Sequence, residues 1–319
     1  MSRVVVALGD CALVRRGEDG SIKARRRNLL AAARSLAELE RAGHELVLTH
    51  GNEPPACFGV GSAETARPVV PSPTPLDVQV AESQGQIGYL LAQALTAQFA
   101  MEGRSRTIAV VLSQVVVDPL DRAFGAPSMP VGPVYDQATA RQLAADLGWT
   151  VAPDGAGWRR VVPSPQPLEI VEASSIRTLA AAGVIVIATG GGGIPVSRTQ
   201  AGALVGIEAM VDKDLAAVVL AESVDADALL LLTDVQAAEF GWGAPDRISI
   251  RRLTIEDAAA GVADGTFAAG SMGPKVQAAA AFVRRTGKVA AIGSLDDPVA
   301  VLEGRAGTLL IEQSLVAVW

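Results

Sequence analysis

The chain has 319 residues, and 27 Lys and Arg against 34 Asp and Glu leave a formal charge of −7. Half of it is hydrophobic and only 19% is charged, enough apolar chain for one large α/β domain or two lobes. A disordered chain is less apolar and a nucleic-acid binder more basic, so neither class fits.

The first apolar run, Val4–Leu8, is too short for the hydrophobic region of a signal peptide and reads as a strand ending at Gly9-Asp10. A helical pattern follows from Arg25 to Ala42, closed by Gly43. Glu45–Thr49 reads as strand, Glu82–Met101 as helix and Thr107–Leu112 as strand, with a Pro/Ser-rich exposed loop at Pro68–Pro75. Val184–Thr189, Ala228–Leu232 and Val289–Ile292 are further short apolar runs, each beside a helical segment. This alternation predicts a mostly parallel sheet covered by helices on both faces, with ligands at the carboxyl ends of its strands. The stretch Thr178–Ser197 carries no charge. Gly190–Gly193 and Pro195 break it, so it reads as strand, loop and turn rather than a membrane span. Two cysteines, Cys11 and Cys57, are too few for a disulfide scaffold and suit a reducing cytoplasm. No internal repeat is visible.

The middle of the chain differs. Residues 118–169 hold eight prolines, and Trp158–Val162 resembles one arm of a hairpin. An inserted subdomain or lid is expected there; a floppy loop is the weaker alternative, because Trp149 and Trp158 lie inside it.

Four loops follow apolar runs or precede helical ones: Gly9-Asp10-Cys11, Thr49–Pro55, Gly190–Pro195 and Gly270–Lys275. Glycines let backbone N–H groups approach an anion, and a helix start adds a favourable partial charge. Four consecutive glycines after a strand point to close backbone–ligand approach, against the alternative of a plain turn. No GxxxxGK[ST] or GxGxxG pattern is present. The chain has only four lysines, Lys23, Lys213, Lys275 and Lys288. Lys213 opens a helical stretch within Val211-Asp212-Lys213-Asp214, and Lys275 lies in the Gly-Pro-Lys loop, just ahead of another. A compact ammonium suits a transferring phosphoryl group, so these two are read as functional, with Asp214 orienting them. Lys23 and Lys288 are read as solvated surface.

Several motifs together resemble carbamate kinase, a member of the amino-acid-kinase fold. They are Gly43–Asn52, Ala81–Gly85, Asp154–Pro165, Gly190–Val196, Asp212–Ala216, Leu232–Val235 and Gly270–Val276, spread over nearly the whole chain. The resemblance implies an open α/β sandwich with a small protruding subdomain at 118–169 and a nucleotide-binding C-terminal half. It implies a cytoplasmic homodimer in arginine metabolism, with a small-molecule substrate and no nucleic-acid or membrane partner. The implied reaction is Mg²⁺-dependent phosphoryl transfer between ATP and carbamate, often run from carbamoyl phosphate and ADP. By position, Lys213 and Lys275 would steady the migrating group and Asp214 would organise the lysines. Gly9, Gly51, Asn52 and Gly190, Gly191, Gly192 and Gly193 would hold the carbamate end. Thr233, Asp234, Val235, Trp242, Met272 and Lys275 would lie by the nucleotide. Such chemistry is mainly positioning and charge stabilisation.

The substrate-side loops depart from that pattern. Asp10 and Cys11 stand where the family has Gly-Asn, Glu53 and Pro55 replace a Gly and a Gln, and Met129 replaces a lysine. If all face the site, the local charge changes by about −3; at ~5 Å each unit charge acts with roughly 3 kcal/mol at an effective dielectric of about 20. Three outcomes are open: extra Mg²⁺ binding with the activity kept, another small acceptor, or a nucleotide-binding regulatory protein without turnover. Cys11 and Cys57 are read as small buried residues, with a thiol or metal pair as the lesser alternative. His44 and His50 fit packing or loop orientation at least as well as proton transfer.

Overall fold

The computed structural model describes residues 2–15, 17–18, 21–52, 74–241, 247–267 and 272–312. From the N terminus run β1 (Arg3–Leu8), a 3-10 turn at Asp10–Ala12, α1 (Ile22–Arg41), β2 (Glu45–His50), α2 (Leu76–Met101), β3 (Ile108–Val111) and β4 (Gln114–Val117). Next come β5 (Met129–Tyr135), α3 (Gln137–Leu147), β6 (Thr150–Asp154), β7 (Gly157–Val162), β8 (Pro167–Ile170) and α4 (Ala173–Ala181). β9 (Ile185–Ala188) leads through a 3-10 turn at Gly190–Gly192 into β10 (Ile194–Arg198), β11 (Leu204–Gly206), α5 (Lys213–Ser223) and β12 (Ala228–Thr233). The last part holds β13 (Glu239–Phe240), β14 (Ile248–Ser249), β15 (Arg252–Thr254), α6 (Ile255–Ala263), α7 (Met272–Thr286), β16 (Val289–Ser294), α8 (Pro298–Leu302) and β17 (Thr308–Ile311).

Eight strands form one sheet in the order β15-β17-β16-β12-β1-β2-β9-β3, parallel except for the β16–β17 pair. Alternate residues of its central strands enter two cores. Val5, Ala7, Val47, Val186, Leu229 and Leu231 pack beneath α5 and α7. Val4, Val6, Leu8, Leu48, Ile187 and Leu230 meet Leu29, Ala33 and Leu36 of α1 and Leu91 and Leu95 of α2. Burial on both faces is why these strands read as continuous apolar runs, and the expected α/β class with a mostly parallel, helix-covered sheet is the observed one.

Some boundaries move. α1 begins at Ile22, three residues before the periodicity predicts, because the Ser21 side chain accepts from the Ala24 N–H. Its cap residue is Ala42, and Gly43 follows at φ +91°. α2 begins at Leu76 rather than Glu82 because Leu76 and Val80 are buried against Val131, Val162 and Met210. Lys275 lies inside the first turn of α7 rather than ahead of a helix. Lys288 is half-buried and donates to the Ala226 carbonyl at 2.7 Å, so it is not free surface, whereas Lys23 is exposed.

Between β4 and β8 the chain leaves the main body and forms a separate three-stranded antiparallel sheet, β5-β7-β6, with α3 packed on it. The Arg160 guanidinium stacks 5.0 Å over the Trp149 ring and lies 3.7 Å from Glu208. Glu208 in turn accepts the Leu76 N–H at 2.9 Å, which joins this sheet to the start of α2. Among the described residues no helix is long and apolar enough to cross a membrane.

Candidate active site

β1, β2, β9 and β12 are parallel neighbours, so the residues after them gather along one edge of the sheet. Gly9 follows β1 and donates its N–H to Leu232 O at 2.8 Å; a Cβ there would meet that oxygen at 2.9 Å. Gly51 follows β2 beneath Asp10, whose Oδ1 would lie 1.8 Å from a Cβ. The Gly190–Gly193 turn follows β9. Gly191 has φ +64° and faces the Asn52 carboxamide, and Gly192 has φ +91° and faces Val211 O. These glycines are required by the close approach of the neighbouring chain as well as by left-handed backbone, so the turn is built into the site's wall.

Asn52 is held there. Its Oδ1 accepts from Ser83 Oγ at 2.6 Å, and its amide faces Gly191 O at 3.5 Å. Gln84 exchanges two hydrogen bonds with the Ser113 backbone at 3.1 and 3.0 Å, and Ser113 Oγ accepts the Thr189 N–H at 3.1 Å. Thr189 sits at φ +50° with its hydroxyl buried and unpartnered, while its carbonyl accepts from Thr49 Oγ1 at 2.9 Å. Strain at a β-branched residue beside a loop cluster of this kind is a mark of a functional turn. In sequence alone, Ser83, Gln84, Ser113 and Thr189 carry no individual role. Ser83 and Gln84 did carry a signal, being polar at positions of α2 that face the core.

Across this turn lies the start of α5. The Asp212 side chain caps it, accepting from the Asp214 and Leu215 N–H groups at 2.9 and 3.0 Å. That cap aims Lys213 and Asp214 at Lys275, which arrives from the first turn of α7. Lys275 Nζ donates to Asp214 Oδ2 at 2.8 Å, and Lys213 Nζ stands 3.7 Å from the same oxygen and 3.9 Å from Asp10 Oδ1. Asp214 is 3% exposed and Lys275 6%.

Burial alone would raise the Asp214 pKa, but Lys213 and Lys275 hold it below the ordinary carboxylate value. Burial would lower the Lys213 pKa, and Asp214, Asp10 and Asp212 more than reverse this, so the ammonium stays charged. Asp212 is raised by burial and by Asp214. Cys11 is a half-buried free thiol pushed up to about 11 by burial, Asp234 and Asp10, against Lys275 and Lys213. At neutral pH it is protonated, which argues against a nucleophilic role. His50 is fully buried with its ring against Gly51 O at 2.8 Å, and burial lowers its pKa to about 4.

Thr233 ends β12, buried, with its hydroxyl 3.3 Å from Asp234 Oδ1; Asp234 is exposed and Val235 half-buried. Met272 opens α7, half-buried against the core. Met129, on β5, does not stand as a polar group: it packs against the seam of Leu76, Val80, Val131, Val162 and Met210. Glu53, Cys57, Trp242 and Gly270–Ser271 lie outside the described residues. Among the described residues no group of three or more His, Cys, Asp or Glu is placed to hold a metal.

The model of the amino acid kinase family matches residues 2–294. The carbamate kinase of Thermococcus kodakarensis is 44% identical, covering 98% of this chain and 100% of that protein. The carbamate kinase of Escherichia coli strain K12 is 42% identical, covering 97% and 99%. The solved structure of carbamate kinase from Giardia lamblia bound to AMP-PNP superposes with a TM-score of 0.86 at 39% identity, over 98% of this chain and 99% of that one.

Proposed function

The chain belongs to the amino acid kinase family, and from that premise we propose that its buried Lys213–Asp214–Lys275 cluster carries phosphoryl transfer between carbamate and the terminal phosphate of ATP. It is a carbamate-kinase-like phosphotransferase, similar along its whole length to curated carbamate kinases. The observation that carries the mechanism is the pair of ammonium groups fixed on one carboxylate at the strand ends. In the ATP-forming direction, a β-phosphate oxygen of ADP bonds to phosphorus as the bond from phosphorus to the carbamate oxygen breaks. Charge spreads over the equatorial oxygens, and fixed ammonium groups stabilise it without reorganising. The carbamate leaves as an anion, so no general acid is needed.

Asp214 keeps both lysines in place and holds Lys213 charged, while Asn52 and the Gly190–Gly193 turn bound the carbamate end. Thr233–Val235 and Met272 border the nucleotide. Magnesium, bound with the nucleotide, would supply further positive charge against the phosphates. The β5-β7-β6 sheet acts as a lid over the carbamate end. The protein works in the cytoplasm as a homodimer, and the half-exposed strand β3 at the sheet's end, with Val110, Leu112 and Tyr89 exposed beside it, is the face that pairs. ATP formation by the purified protein from ADP, Mg²⁺ and carbamoyl phosphate tests the reading. Turnover supports it; ADP binding without turnover assigns a nucleotide-binding role instead.

A further inference from the structure

The polar groups around Lys213 are nearly all committed to one another. Asp214 Oδ2 accepts from Lys275 at 2.8 Å, Asp212 Oδ1 accepts two backbone N–H groups, and Asn52 Oδ1 accepts from Ser83 at 2.6 Å. Asp10 is different. Its carbonyl accepts the Leu13 and Val14 N–H groups, but its carboxylate is 68% exposed, stands 3.9 Å from Lys213, longer than a hydrogen bond, and makes no other hydrogen bond or ion pair among the described residues. A pair that long and that exposed adds little stability. Asp10 does not cap its one-turn 3-10 helix either, since Gly9 occupies the cap position. Yet its carboxylate is aimed over Gly51, on the carbamate side of Lys213, where a side chain at residue 51 would collide with it.

Otherwise the described residues at this end of the site bring cations, the ammonium groups of Lys213 and Lys275. A carboxylate among them opposes an anion unless the ligand brings a donor of its own. Carbamate and carbamoyl phosphate do: the amino group next to the carbonyl presents two N–H bonds. Resting on the reading of the carbamate end given above, we infer that Asp10 is a specificity-determining residue, which accepts a hydrogen bond from that amino group and so selects acyl phosphates bearing N–H beside the carbonyl over those bearing carbon.

Carbamoyl phosphate and acetyl phosphate, which differ at that position by NH₂ against CH₃, separate this effect from general anion attraction. Each is supplied with ADP and Mg²⁺ to wild type, Asp10→Asn and Asp10→Gly, and kcat/KM is compared, with ADP affinity measured by titration as a check of fold. Wild type is expected to prefer carbamoyl phosphate. Asp10→Gly, which removes charge and acceptor together, should cut that preference by about tenfold or more, mainly by a gain on acetyl phosphate as the opposing charge is lost. Asp10→Asn keeps a carbonyl acceptor but loses the charge, and should cut the preference by about threefold. The same preference in wild type and in either ADP-binding variant would overturn the inference while leaving the kinase reading intact. No turnover of carbamoyl phosphate by wild type would overturn both.

Discussion

Asp214 and Lys275 form a buried ion pair at the proposed centre of phosphoryl transfer. In isolation, burying either charge costs several kcal/mol, and a pair at 2.8 Å only roughly offsets that cost. Placing Lys213 on the same carboxylate leaves the cluster with one positive charge more than it needs internally, and Asp10 sits at the open side of that excess. Lysine scarcity made Lys213 and Lys275 legible in the sequence. The direction of Asp10 was not legible, because one residue of shift in a loop decides whether a side chain faces a site or solvent. His50 carries a separate consequence. Its pKa is about 4 in the folded chain against 6.5 ordinarily, so between those values the unfolded chain binds the extra proton. Stability therefore rises with pH through this window and is lost as pH falls from about 6.5 towards 4. Denaturant midpoints measured across that range should fall with the uptake of one proton, and His50→Gln should remove that share of the slope.

The glycine turn after β9 is the element on which the proposed carbamate end depends. Its sequence points to a ligand loop, but the reason for the individual glycines lies in tertiary neighbours: His50 at Gly190, Asn52 at Gly191, Val211 at Gly192 and Val115 at Gly193. The Ser83–Asn52 and Gln84–Ser113 bonds were invisible for the same reason, since they join residues about thirty apart with no local pattern. Gly191→Ala places a Cβ 2.2 Å from the Asn52 carboxamide at φ +64°. The expected cost is about 1–3 kcal/mol in stability. Because Asn52 must turn away, KM for carbamoyl phosphate should rise while affinity for ADP changes little; paired calorimetry and kinetics read both. α5 shows the opposite case: Asp212 before Lys213 is a helix-start signal visible in sequence, and the cap forms as that signal implies.

At the scale of the molecule, the sheet was the most legible part. Strands buried on both faces need not alternate polar and apolar residues, so β1, β9 and β12 announce themselves as hydrophobic runs and β2 and β16 carry shorter ones. β3 is the exception that points outward. It ends the sheet, and Val110, Leu112 and the neighbouring Tyr89 are 38%, 50% and 53% exposed, an apolar edge that a lone molecule leaves in water. Sedimentation should give the mass of a dimer for the wild type and of a monomer for the double variant Tyr89→Asp, Leu112→Asp. A wild-type monomer at micromolar concentration would contradict that assembly.

In the proposed mechanism, fixed ammonium groups rather than proton transfer lower the barrier. Lys213 carries one of them, half-buried at the head of α5 and facing Asp214 at 3.7 Å. The most direct test is kcat for ATP formation from carbamoyl phosphate and MgADP by Lys213→Ala beside the wild type, with the Kd for ADP measured on both. The expected result is a fall in kcat of about 100-fold or more with the ADP Kd changed by no more than a few-fold. A variant that turns over within a few-fold of the wild type would contradict it.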